Sequence, residues 1–228
     1  MFSRKGWGLF FSLFVCNLYA KTTRFELRDM SHRNLISVTS DGLLERAVGI
    51  SSWLDGWVEL DPENLATGIK GELVTDLRSM ETGVEMRDLV MKDKLLQVTQ
   101  FPRALATIKK WAKETTGKLK DTPTVHNVEA EVEVKGKKVL MNVPLKLAYF
   151  AESAVSKARL PGNLLKLSAN FSVELEQVGI QVPEPMKSLV AKSVEIAVDA
   201  VASDKLPTQK VTLPDGPKPK ERDPAAKK

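Results

Sequence analysis

The chain has 228 residues, 43% hydrophobic, 28% charged and only 6% aromatic, with one cysteine and two histidines. That length and apolar fraction give one domain, or at most two small ones, with a full core and exclude a disordered chain or a fibre, while a lone cysteine excludes a disulfide scaffold. The net charge of +5 sits at the two ends: residues 21–204 carry 25 basic and 26 acidic side chains, and no basic stripe interleaved with aromatics points to nucleic acid.

Arg4 and Lys5 precede a twelve-residue apolar run over 7–18, too short to span a bilayer, and Tyr19-Ala20 offers a cleavage point before Lys21. Residues 1–20 are therefore read as a secretory signal, which predicts a periplasmic or secreted protein. Lipidation of Cys16 is the alternative, although Val15 stands where such a signal wants a small residue. Cleavage after Ala20 leaves a mature chain without cysteine.

From there the apolar period is two. Ile36 and Val38 predict an opening strand, and residues 50–60 another. Leu73, Thr75 and Leu77 oppose Glu72, Asp76 and Arg78. Over 82–100, Met86, Leu89, Val90 and Lys94 sit at helical spacing between Gly83 and Pro102, which predicts a short helix. A strand follows at 104–111. Glu129 to Lys135 alternates polar and apolar residues, Gly136-Lys137-Lys138 reads as a turn, and Val139, Met141, Val143, Leu145 and Leu147 share the face of the returning strand. Phe171 to Glu176 and Val194 to Ala200 alternate in the same way, with a second short helix expected over 185–192. Residues 205–228 hold seven bases, three acids and five of the twelve prolines, the composition of a disordered tail that could also touch an anionic envelope surface.

About eight antiparallel strands with one apolar face make a sandwich or a closed barrel, and a barrel of eight has room for packed side chains or one small ligand. With so few aromatics, the inward Val, Leu, Ile, Met and Ala favour a barrel that leaves space. No nucleophile elbow, phosphate loop or dinucleotide fingerprint occurs, and His32 and His126 form no metal-binding pair, so neither an enzyme nor a metal site is expected.

Gly56-Trp57-Val58-Glu59-Leu60-Asp61-Pro62, Ser79-Met80-Glu81-Thr82-Gly83 followed by Met86-Arg87-Asp88, Leu96-Gln97-Val98-Thr99-Gln100-Phe101-Pro102-Arg103-Ala104, the hairpin Val134-Lys135-Gly136-Lys137-Lys138-Val139, and the closing runs Phe171-Ser172-Val173 and Ser193-Val194-Glu195-Ile196 occur in that order. This series resembles the YceI-like family over residues 25–203. The resemblance implies an all-β, lipocalin-like, eight-stranded antiparallel barrel with one or two short helices. It also implies a non-enzymatic carrier that holds a polyisoprenoid or a quinone-like lipid. Val90 stands before Met91 where the family often has a histidine, and Ser31-His32 only partly echoes its opening strand.

A branched apolar chain needs a dry tunnel with a polar mouth, and methionines adapt to its irregular outline. The inward positions Val58, Leu73, Leu77, Met86, Leu89, Met141, Phe171, Val173 and Ile196 are the candidate lining residues, with Met80 and Met91 beside them; ordinary core packing is the other reading of each. Arg87 is the candidate for the polar head, because a guanidinium forks onto phosphate oxygens, against an ion pair with Asp88 or another acid. Trp53, Asp55, Trp57, Glu59 and Asp61 share one strand face, which is either a covered outer surface or a sugar-binding one. The competing class is an envelope interaction protein with a packed barrel, using this face or the tail.

Overall fold

A computed structural model of the chain describes residues 21–208; the segment read as a signal and the tail beyond 208 lie outside the described residues. Ten strands form one antiparallel sheet: β1 (Thr23–Glu26), β2 (Leu35–Asp41), β3 (Arg46–Ser51), β4 (Leu54–Leu60), β5 (Ile69–Asp76), β6 (Arg103–Trp111), β7 (Thr124–Val134), β8 (Lys137–Phe150), β9 (Leu164–Glu174) and β10 (Ser193–Ser203). β10 pairs with β9 on one side and with β1 on the other, which closes β1, β4 and β5 to β10 into an eight-stranded barrel. β2 and β3 continue two of its staves. β2 pairs with β10 from Val194 to Asp199, while β1 meets the same edge at Ser203. The run expected as one strand over 50–60 is thus divided at Ser52-Trp53, where the Ser51 hydroxyl accepts the Trp53 N–H at 3.0 Å.

Local chemistry fixes the register. Lys135 (φ 50°) and Gly136 (φ 72°) are both left-handed, the two-residue turn whose twist matches the β7–β8 hairpin. Gly56 on β4 has φ 134°, and a Cβ there would stand 1.9 Å from the Glu72 carbonyl oxygen on β5, so no side chain fits.

Two short helices interrupt the strands: α1 (Glu85–Val90), which runs on as a π-helical turn from Met91 to Leu96, and α2 (Ala154–Lys157). α2 is absent from the sequence reading; its capping box joins Ser153 to Ser156, a pairing too short to stand out in a polar loop. The helix expected over 185–192 is only a 3₁₀ turn, Glu184–Met186. Its backbone is taken by other partners: Ser188 O accepts from Leu44 N–H and Ala191 N–H donates to the Ser40 hydroxyl.

The interior divides in two. Phe25, Leu27, Val58, Leu60, Leu147, Leu165 and Leu167 are fully buried in one cluster that fills the half of the barrel around β1 and β4. A second cluster of Leu95, Val173, Leu175, Val178, Ile180 and Val194 lines the other half.

A buried polar knot covers the gap between β1 and β2. Asn34 Nδ2 donates to Leu27 O at 2.7 Å, and its Oδ1 accepts from Val201 N–H and Arg159, each at 3.0 Å. The buried Asp29 carboxylate accepts from the Ser31 amide at 3.0 Å, from Arg33 Nε at 2.9 Å, and from Arg159. Burial on its own would raise the Asp29 pKa; the Arg33, Arg159 and Ser31 hydrogen bonds outweigh it and hold the carboxyl well below the usual carboxylate range. A depressed folded pKa stabilises the fold above the unfolded value of about 4 and ceases to do so as the pH falls toward the folded one. Asp29→Asn is therefore expected to cost about 3 kcal/mol in urea unfolding near neutrality, with a smaller gap to wild type at about pH 3. An unchanged gap at the lower pH would show that the charge is not its source.

Candidate functional site

The second half of the barrel is hollow. A cavity of about 490 Å³ lies inside β2, β3, the start of β6, the ends of β7 and β9 and the start of β10, under α1 and its π turn and the 175–192 loop. Its wall is made of Val, Leu, Ile, Met, Ala and Gly with three hydroxyl side chains, and among the described residues Glu45 and Arg87 are its only charged groups. The staves part on one side to make room. β8 pairs with β9 only from Leu145 to Phe150, and its first residues pair with β7 alone. The buried Val178 and Ile180 of the 175–192 loop join the wall at this end.

Helix α1 is held over the cavity by its own sequence. Gly83 turns the chain with φ 78°, and Thr82 N–H donates to Asp88 Oδ1 at 2.8 Å. Arg87 Nε donates to the Thr82 hydroxyl at 2.9 Å and Nη2 to the Thr82 carbonyl at 3.0 Å. The Thr82-Gly83 and Arg87-Asp88 pairs thus close one hydrogen-bonded turn. Arg87 Nη1 also donates to Glu45 on the β2–β3 turn, so an ion pair straps α1 to the opposite rim. Of the two ion-pair partners the sequence allowed, Asp88 or another acid, the second is the one made, with Glu45, while Asp88 accepts from Thr82.

Around this strap the rim is apolar. Leu43 and Leu44 on the β2–β3 turn are exposed, as is Met86 on α1 (70%), although Met86 also contributes to the cavity wall. Met91, Leu95 and Leu96 of the π turn line the cavity; a continued α-helix would align Met91 with Leu95, and the wider turn brings Leu96 onto the same face.

Of the residues singled out in the sequence, Leu77, Met86, Arg87, Val173 and Ile196 line the cavity, together with Met80 and Met91. Met141 and Phe171 pack against both clusters, at the boundary between the halves. Val58 is fully buried in the solid half and Leu73 packs against that half, so neither reaches the cavity. Leu89 is half exposed on α1, outside the wall. The sequence reading omits Val178, Ile180, Met186 and Val190 of the 175–192 loop. Their only signal is the alternation of Val178, Ile180 and Val182, which Gly179 and Pro183 obscure.

The Trp53–Asp61 face points away from the interior, and two of its three carboxylates, Glu59 and the buried Asp55, are already paired with cations. Asp55 accepts from Arg28 at 3.0 Å, Glu59 from Thr22 at 2.8 Å with Lys70 at 3.2 Å, and Arg24 lies 4.0 Å over the Trp57 ring. His126 stands against Trp111, 5.5 Å between ring centroids, and burial lowers its pKa. Among the described residues no three His, Cys, Asp or Glu side chains gather as a metal site.

Three comparisons bear on this arrangement. A family model described as the YceI-like domain matches residues 25–202. No curated protein matches the chain. Among solved structures it is similar to BcnA of Burkholderia cenocepacia (18% identity, 75% of this chain and 97% of that one, TM-score 0.59). It is also similar to a polyisoprenoid binding domain from Saccharophagus degradans implicated in plant cell wall breakdown (14%, 80% and 99%, TM-score 0.59). A YceI protein of Campylobacter jejuni is a third (14%, 69% and 85%, TM-score 0.55). At these identities the structural likeness concerns the fold.

Proposed function

Because the chain belongs to the YceI-like domain family, we propose that it is a periplasmic or secreted carrier that holds a polyisoprenoid or similar amphiphilic lipid in the hollow half of its barrel. The observation that carries this reading is the cavity itself: about 490 Å³ walled almost wholly by apolar side chains, in a barrel whose other half is packed solid. Such a space offers a hydrocarbon chain burial, at about 25 cal/mol per Å² of apolar surface, and almost no hydrogen bonds to answer. The name of the Saccharophagus degradans domain supports the same ligand class. The head group lies at the strapped rim beside Arg87, the one cation in the wall among the described residues, and the exposed Leu43, Leu44 and Met86 give the tail an apolar way in. The role is binding, not catalysis, and the apolar run at 7–18 supports export.

Organic extraction of the protein expressed with its own amino-terminal segment, followed by mass spectrometry, tests the reading. A prenyl or quinone-like lipid near one per chain is the expected result, on a protein whose amino terminus begins at Lys21. A clean extract from folded protein would overturn the carrier reading.

A further inference from the structure

The cavity does not run the length of the barrel. Ile36 and Ile196 line it on one side and pack against the solid core on the other. Phe171 faces Ile196 across the β9–β10 ladder and touches both clusters. Beneath them Val58, Leu147 and Leu167 are fully buried. The loop residues Val178 and Ile180, both buried, stand where the β8–β9 pairing has ended.

From this geometry we infer, resting on the carrier reading above, that the protein selects a short isoprenoid chain and that Ile36 and Ile196 are the floor that measures it, with Phe171 packed behind Ile196. An isoprene unit fills about 110 Å³ at the packing density of a protein interior. A cavity of about 490 Å³ therefore takes about four or five units. Units beyond that stay outside the mouth and gain nothing from the barrel.

The test uses the full chain, stripped of lipid and titrated with farnesol, geranylgeraniol, geranylfarnesol and solanesol from one nonionic detergent, read by displacement of an apolar fluorophore. Affinity is expected to rise about tenfold or more with each added unit until the fourth or fifth, then to change by less than about threefold out to solanesol. Phe171→Ala removes about 100 Å³ from behind that floor, close to one isoprene unit, and moves the plateau up to one unit longer as Ile196 settles into the space. Ile196→Ala, a smaller truncation, lengthens it less and serves if Phe171→Ala does not fold. Wild-type affinity that climbs steadily to solanesol overturns the floor, because the solid half would then have parted to admit the chain. Failure of every prenol to bind is a different result: it removes the carrier reading itself.

Discussion

Leu167→Ala is expected to destabilise the barrel by about 4 kcal/mol, and Leu175→Ala by about half as much. The chemistry of the two truncations is identical and both leucines are buried, Leu167 at 1% and Leu175 at 7% exposure. Their surroundings differ. Leu167 is enclosed in the solid half, with Leu147 opposite it in the β8–β9 ladder and Ala200 in the β9–β10 ladder, so its loss leaves a void bounded on every side. Leu175 borders the cavity, so part of its side chain already lacks partner atoms and has less packing to lose. Chemical denaturation of the two variants, with m-values compared to wild type, measures the difference. Equal costs would mean that the hollow half is closed up in solution and that the cavity is not a standing feature of the fold.

That asymmetry marks the limit of what the sequence discloses. The alternation of Glu129 to Lys135 and of Val139 to Leu147 specified the β7–β8 hairpin, because a period of two with one apolar face has few other solutions. The same rule placed β4 to β6, the end of β9 and most of β10, but the four-residue β1 that closes the barrel went unread, and β2 stood in its place in the count of eight. Alternation says which way a side chain points and not what it meets on arrival. Val58 and Val173 occupy equivalent inward positions on their strands; one is fully buried in the solid core and the other lines the cavity. The difference arises where β8 and β9 stop pairing, at Leu145 and Ala169, and no residue there announces it. The knot at Asp29, Asn34 and Arg159 was equally hidden. Its members are up to 130 residues apart, and each alone reads as a polar loop residue. Arg87 was legible as a group at the barrel end, through the Thr82-Gly83 and Arg87-Asp88 spacing. Its engagement with Glu45 was not, since that contact spans 42 residues.

Val173→Trp is expected to cut extractable lipid by about tenfold, the cost of about one isoprene unit of cavity, while leaving the barrel folded. Val173 sits near the end of β9, paired with Val194 of β10, and both side chains face the cavity. The substitution adds about 90 Å³ of side chain, which a standing void of about 490 Å³ accommodates without forcing its neighbours off their rotamers. The indole would then occupy volume that the hydrocarbon needs, and its own burial replaces part of the stabilisation the ligand gave. Thermal melting of the stripped variant should stay within about 3 °C of stripped wild type. Val58→Trp provides the contrast, because the same addition in the solid half has nowhere to go and overpacking costs about 1–3 kcal/mol or more. If Val173→Trp instead melts as early as Val58→Trp, both positions are core and the barrel is packed throughout. If it melts like wild type and still carries its full lipid, the ligand lies elsewhere than in the space beneath α1.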